Sequence, residues 1–342
     1  MVIAGVDVGG TKVAVCLASE EGHLVRLRLP VVRTGEDISI PEQCLHLLSR
    51  ACQAMGQSYE SISKVGIGAC GPIVNRDGFR ALAAPNLCGG LSNNPSNLPN
   101  QWQSIPIEAW VSQHFSGFEL QMDVVAALQA ERLFGAAQHS DHCIYGTWST
   151  GLGFGLCVDG RLLSGKNGNA GHAGHHFLPA SAHENNSENA ALASCGCGNI
   201  GDAESLFSGT GLARAWGRPP EQVFAMARRG NRSALAQIDR LVESYSFLLY
   251  NLSVTLDIEL IILGGSVYTQ NQELLLPRLR QALCRSPRQG MQAIMEQVTI
   301  KSAQLGEMVA DIGALSLVMP PHWVERWRSE QPWLHCPTTN LE

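Results

Sequence analysis

The sequence is short of charge, and of basic charge most of all. Asp, Glu, Lys and Arg make up 16% of its 342 residues, and 24 Lys and Arg stand against 30 Asp and Glu, a formal net charge of −6. A protein that grips a phosphate backbone needs a basic stripe, and none can be assembled here, so no nucleic-acid partner is expected. Long uncharged apolar runs are also missing, which excludes a membrane-spanning helix and gives no reason to expect a membrane partner. The opening MVIAGVDVGG has no basic start and reaches Asp7 after a few apolar positions, so no secretory leader is expected. The chain is accordingly expected to be soluble and cytoplasmic.

What the sequence has is apolar mass and small residues. A hydrophobic content of 45% and a length of 342 residues suit two lobes of ordinary size, each with a core. The 11 cysteines mostly stand alone inside apolar runs, such as Cys16 in KVAVCLAS and Cys157 in FGLCVDG, where they act as small buried hydrophobes kept reduced in a cytosol. Only CGCG, with Cys195 and Cys197, has the spacing of metal chemistry.

Residues 1–32 alternate β-rich runs with Gly-containing turns and predict three antiparallel strands. ISIPEQCLHLLSRACQAM follows with helical spacing, then KVGIGACGPIV as strand. Near residue 143 the pattern starts again. CIYGTWSTGLGFGLCVDGRLLSG predicts a strand, a Gly/Thr-rich tip, a second strand, and a hairpin closed at Asp159-Gly160. A helix is expected from Ser233 to Leu256, strands at ELIILGG and QVTIKSAQ, and a helix at MVADIGALSLV. AAPNLCGGLSNNPSNLPNQW is expected as irregular loop, Ala180–Ser194 as a flexible excursion, and the stretch after Pro320 has no usable periodicity.

Each half therefore opens on a hairpin whose tip is Gly and Ser/Thr: DVGGTK in the first, STGLGFG in the second. A phosphate needs several N–H donors converging on one point, which glycine permits and hydroxyls reinforce. An isolated tip of this kind is equally well a tight turn, but two at equivalent places in a duplicated chain point to a ligand held between two like lobes. GLGFG nearly spells a dinucleotide fingerprint; that motif must open a helix, and here it runs into strand.

GVDVGGTK, STGLGFG, GNAGHAGH, SCGCGNIGDAES, IILGGSV and AQLGEMVADIGALSLV come in an order and spacing that resemble the bacterial ROK family, over roughly residues 1–320. The resemblance implies an α/β protein of two ribonuclease-H-like lobes with duplicated mixed sheets, the actin and hexokinase type of fold. The smaller lobe would span 1–121, completed by 305–320, and the larger 122–304. It further implies ATP and a hexose as ligands: Asp7 near a magnesium ion, Gly9, Gly10, Thr11 and Lys12 with Ser149, Thr150, Gly151 and Gly153 on the phosphates, and Gly264 and Gly265 beside the adenosine. Gly71 and Asn86 would lie on the sugar side. A homodimer is implied by the resemblance alone.

Asp123 precedes the amphipathic run VVAALQAERLF, where its plain reading is an N-cap. The resemblance makes it the base that accepts the proton of the sugar hydroxyl. Both roles can coexist, with the helix terminus keeping the carboxylate ionised and lowering its basicity. The family usually has Asn before this Asp, and Met122 stands there instead. AGHAGHH and CGCGNIGD match the family's zinc arrangement with His175, Cys195 and Cys197, the third Cys position being taken by Asp202. Taken without the resemblance, CxC is often only a turn with buried thiols; with it, structural zinc is implied, through a harder oxygen ligand than the usual Cys₃His set. His172 stands where the family has a sugar-binding Glu; it is either a loop histidine or a substrate contact whose imidazole can donate or accept. His175 and Glu204 would also contact the sugar, though Glu204 alone is an ordinary charge near a helix start.

The functional expectation is an ATP-dependent kinase of a hexose 6-hydroxyl. AGH-x-GH resembles the family's N-acetylmannosamine kinases, while GHHFLP and the 19 residues between His175 and Cys195 resemble its N-acetylglucosamine kinases, so an N-acetylhexosamine is the common ground. A fructokinase or glucokinase, or a sugar- or nucleotide-binding protein with decayed catalysis, stays open beside it. A regulator of the family would need a helix-turn-helix before the first strand, and only six residues precede Asp7.

Overall fold

The computed structural model describes residues 1–30, 39–91, 100–179, 194–284, 291–336 and, as backbone, 338–340. The excursion expected at Ala180–Ser194 lies outside the described residues except for Ser194, as does 92–99 of the Asn/Pro-rich loop. The chain divides into two compact units. The first takes in Met1–Gln138, Ser164–Ala170 and Leu305–Glu342, the second His139–Leu163 and Gly171–Gln304.

The first unit begins with β1 (Val2–Val8), β2 (Lys12–Ser19) and β3 (Leu24–Pro30), paired antiparallel in the expected meander. Helix α1 (Ile40–Met55) starts on a capping box: the Ser39 hydroxyl accepts the Glu42 N–H, and the Glu42 carboxylate accepts the Ser39 N–H at 2.6 Å. Strand β4 (Ile62–Ala69) lies parallel to β1, then come the small hairpin β5 (Ile73–Arg76) and β6 (Phe79–Leu82), helix α2 (Ile107–His114) and β7 (Phe118–Met122), parallel to β4. Helix α3 (Asp123–Phe134) follows without a break.

The second unit repeats the plan. β8 (Cys143–Trp148), β9 (Leu152–Val158) and β10 (Arg161–Leu162) are antiparallel, and Asp159 and Gly160 take φ of 51° and 70°, the pair of positive angles that a two-residue hairpin turn requires. Then come α4 (Ala203–Phe207), α5 (Gly209–Trp216), α6 (Pro220–Arg228) and the long α7 (Arg232–Leu256), whose start is capped by Asn231 accepting the Ala234 N–H. Strand β11 (Leu260–Gly264), helices α8 (Ser266–Thr269), α9 (Gln272–Cys284) and α10 (Gln292–Met295), and β12 (Thr299–Ser302) complete it. Its sheet runs β10-β9-β8-β11-β12, and a core around Trp148, Phe154, Phe224, Tyr245 and Tyr268 is buried beside it.

The chain returns to the first unit as α11 (Val309–Ser316), α12 (Pro321–Glu330) and β13 (Thr338–Asn340). The first sheet is then β13-β3-β2-β1-β4-β7. With β13 set aside, the two sheets have the same strand order and the same sense at every pairing, which is the duplication the repeated tips announced. Helix α3, expected with the larger lobe, lies in the first unit, because it packs on α11 and on β4. The stretch after Pro320 gives no periodic signal, yet it folds: Trp323 and Trp327, four residues apart on α12, join Trp333 and Phe134 in one buried aromatic group.

Candidate active site

Parallel strands that end in register deliver their next residues to one place. Val8 pairs with Ala69, and Ala69 with Met122, so β1, β4 and β7 end side by side. Gly9, Cys70 and Asp123 are the residues that follow, at the carboxyl edge of a sheet, where open α/β folds bind their ligands. The first tip turns there, with the Gly9 N–H donating to the Lys12 carbonyl at 3.0 Å, and Gly10 packs so closely on the Asn86 amide that a side chain at position 10 would collide with it. Asp7, Gly9, Gly10, Thr11, Lys12, Gly71, Asn86 and Asp123 are thus gathered in the first unit.

Asp123 is not the N-cap. Met122 is the last residue of β7 and keeps an extended backbone, φ −61° and ψ 147°, so helical geometry begins one residue later, at Asp123. There its Oδ1 accepts the Val124 N–H at 2.8 Å. Nor does the helix end lower its basicity below the usual range: burial of the carboxyl outweighs the local N–H bonds and pushes it up to about 6. Asp7, 7% exposed on β1, is pushed up to about 7 by burial first and then by the charge of Asp311, with Asp123 adding and Lys12 and Arg26 opposing. Asp311 is itself buried against the Arg26 guanidinium at 2.5 Å, with Arg28 at 3.3 Å. The sequence marks this pair only by a lone Asp in the apolar run VADIGALSLV. Met122 is 2% exposed and packs in the core.

The second unit makes the equivalent edge. Thr147 pairs with Gly264, so the tip after Trp148 and the turn after Gly264 emerge together. Gly265 takes φ 86°, and a Cβ there would lie 2.5 Å from the Trp148 backbone, so only glycine fits both the angle and the approach. In the tip, the Ser149 N–H donates to the Gly151 carbonyl at 3.0 Å and the Leu152 N–H to Glu204 Oε2 at 2.8 Å. Ser149, Thr150, Gly151, Gly153, Gly264, Gly265 and Glu204 are therefore neighbours.

His172 and His175 lie on the loop beside β9, their rings edge to face at 5.8 Å. Burial lowers the His172 pKa, whereas the hydrogen bond to Asp202 raises that of His175. His175 Nδ1 sits 2.9 Å from Asp202 Oδ2, 3.7 Å from Cys195 Sγ and 3.5 Å from Cys197 Sγ, and Cys197 Sγ is 3.6 Å from Asp202 Oδ2. A tetrahedral zinc ion sets its N, O and S ligand atoms about 3.2–3.8 Å apart; the three distances to sulfur fall in that range, the His175–Asp202 hydrogen bond is shorter, and all four donor atoms lie within 4.8 Å of one another. Asp202 does a second job: its Oδ1 accepts the Ser205 N–H at 2.8 Å and caps α4.

The model of the ROK family matches residues 3–320. An N-acetylmannosamine kinase of Yersinia pestis (strain Pestoides F) is 31% identical over 267 residues, 76% of this chain and 81% of the relative. Among solved structures, the ROK hexokinase of Thermus thermophilus is 27% identical with a TM-score of 0.68, covering 92% of this chain and 97% of that one. A ROK family glucokinase from Streptomyces griseus, in complex with glucose and AMPPNP, is 25% identical with a TM-score of 0.64, covering 93% and 99%. The fold class expected from sequence, duplicated mixed sheets of the actin and hexokinase type, is the one found. No described helix is long and apolar enough to cross a membrane.

Proposed function

Since the chain belongs to the ROK family, we propose that it is an ATP-dependent sugar kinase that phosphorylates the 6-hydroxyl of a hexose, most favourably an N-acetylhexosamine. The observation that supports this best is the first unit's sheet edge, where β1, β4 and β7 end in register, with Asp7 and the Gly-rich turn at the end of β1 and Asp123 directly after β7. In the first unit, Asp123 orients the hydroxyl and takes its proton, Gly71 and Asn86 lie on the sugar side, and Gly9 to Lys12 contact phosphate. In the second, Ser149 to Gly153 contact phosphate, Gly264 and Gly265 adenosine, and His172 and His175 the sugar. Phosphoryl transfer passes through a loose transition state, so positioning and charge neutralisation carry most of the acceleration. Asp7 would hold Mg²⁺, a hard cation suited to carboxylate oxygen, which neutralises phosphate charge when bound.

The relatives named for N-acetylmannosamine, and the imidazole of His172 where an acetamido oxygen or hydroxyl can be met, favour an N-acetylated substrate. ADP release should be followed with N-acetylmannosamine, N-acetylglucosamine, glucose, fructose and allose in parallel. Sugar-dependent turnover fastest with an N-acetylhexosamine is expected; turnover fastest with glucose or fructose would move the substrate, and binding without turnover on every sugar would leave a decayed kinase. Such an enzyme, as a homodimer in the cytoplasm, needs no further partner than its two substrates.

Zinc is proposed at His175, Cys195, Cys197 and Asp202. Protein purified without added metal should carry about one zinc per chain by elemental analysis, and Cys197→Ala should carry almost none. Metal-free wild-type protein with an intact fold would reduce the cluster to a hydrogen-bonded network.

A further inference from the structure

The tip Ser149–Gly153 does not stand by itself. Helix α4 and the turn into α5 hold it at three points: the Trp148 indole N–H donates to the Phe207 carbonyl at 2.7 Å, the Gly209 N–H to the Ser149 carbonyl at 2.8 Å, and the Leu152 N–H to Glu204 Oε2 at 2.8 Å. The first two are made by main chain on the helix side, and the third by one side chain. In the metal-free chain the other carboxylate oxygen of Glu204 accepts the Cys195 thiol at 3.1 Å; with zinc bound Cys195 would be a thiolate that donates nothing, and the Leu152 bond alone would hold the carboxylate. Gly151 is pressed against it: a Cβ there would lie 3.1 Å from Oε2, tighter than an ordinary contact. Among the described residues, no protein acceptor is recorded for the Thr150 and Gly151 N–H groups. With Ser149 and Leu152 engaged and Gly153 paired with Thr147 in the β8–β9 ladder, these two amides are left for a phosphate.

The geometry points to Glu204 as the positioning residue of this phosphate tip: by holding the Leu152 amide it sets the direction in which Thr150 and Gly151 present theirs. This rests on the kinase reading, in which the tip meets a nucleotide. It assigns Glu204 a task that needs a hydrogen-bond acceptor of the right length and does not need its charge. A glutamine in its place would be isosteric, the amide oxygen accepting from Leu152 and the NH₂ facing the Cys195 sulfur. Alanine offers neither.

The test compares Glu204→Ala and Glu204→Gln in the full chain. Three quantities are followed: hydrogen exchange of the peptide containing Leu152, affinity for AMPPNP, and affinity for N-acetylmannosamine. Glu204→Ala should speed exchange at Leu152 at least tenfold and weaken AMPPNP about tenfold, and Glu204→Gln should restore both to within about threefold of wild type. Gly151→Ala, which crowds Oε2 without removing it, should weaken AMPPNP while leaving sugar affinity near wild type. Equal losses in the Ala and Gln variants, or unchanged Leu152 exchange in the Ala variant, would overturn the assignment. Loss of sugar affinity alone in both would make Glu204 a charged sugar ligand and overturn it too. Wild-type protein that fails to bind AMPPNP would instead defeat the kinase reading, and Leu152 exchange would still decide whether Glu204 supports the tip.

Discussion

Asp123→Asn is expected to lower turnover by about 10²–10⁴-fold, the range a general base contributes, while AMPPNP and sugar affinities stay within a few-fold of wild type. The substitution is mild to the fold, because an Asn amide oxygen can accept the Val124 N–H as the carboxylate does now at 2.8 Å. What it removes is the group that receives a proton. Burial holds that group at about 6 instead of its ordinary value, which brings its basicity toward the working pH. The sign follows: the base acts ionised, so wild-type turnover should fall as pH drops through about 6 and level off above it. The Asn variant should lose that limb of the profile. A variant with turnover near wild type, or an unchanged acid limb, would remove Asp123 from the role.

Residues that act through local pattern were legible in the sequence. Two hydroxyl- and Gly-rich tips at like positions announced the duplication, and Asp159-Gly160 named its hairpin, because turn chemistry is set within a few residues. The cluster of His175, Cys195, Cys197 and Asp202 was legible through spacing and resemblance together, and its donors do converge. The N-cap reading of Asp123 lies one residue too far out, since whether a helix starts at a residue or just after it depends on how long the preceding strand holds its extended angles. The lowered basicity that a helix terminus implies for Asp123 fails for a related reason. A helix end is a local feature, whereas burial is a property of everything packed around it.

Long-range pairs left almost no trace. Arg26 and Asp311 are far apart in the chain and meet only because α11 packs across β1 and β2, so an Asp in an apolar helix could be noticed but not explained. The stretch after Pro320 failed for another reason: three tryptophans and three prolines break any simple period, although Trp323 and Trp327 stand four apart as a helix face requires. Glu204 shows both limits at once, since its place in the motif was seen while its bond to Leu152 needed coordinates.

Nothing in the sequence marks Glu131, and its replacement should be strongly destabilising. It is fully buried near the end of α3, with Oε2 accepting the Ala136 N–H at 2.7 Å and Oε1 the Leu305 N–H at 3.0 Å. Its main-chain carbonyl also accepts the Gly135 and Ala137 N–H groups at 3.0 Å each. The chain leaves the first unit after Gln138 and re-enters it at Leu305, so this one carboxylate fastens both the outgoing and the returning segment. Gly135 has to be glycine, because a Cβ would occupy the place of Oε2. Glu131→Ala strands two buried donors, each costing about 1–3 kcal/mol when unsatisfied, for a total of about 2–6 kcal/mol. Against the roughly 5–15 kcal/mol that holds a typical domain together, that is a large fraction. Glu131→Gln should cost less, since its oxygen can satisfy one of the two amides while its NH₂ opposes the other. Urea unfolding of the three proteins, with the order wild type, Gln, Ala in midpoint, is the expected outcome. An Ala variant within about 1 kcal/mol of wild type would mean that the two amides find other acceptors and that Glu131 fastens nothing.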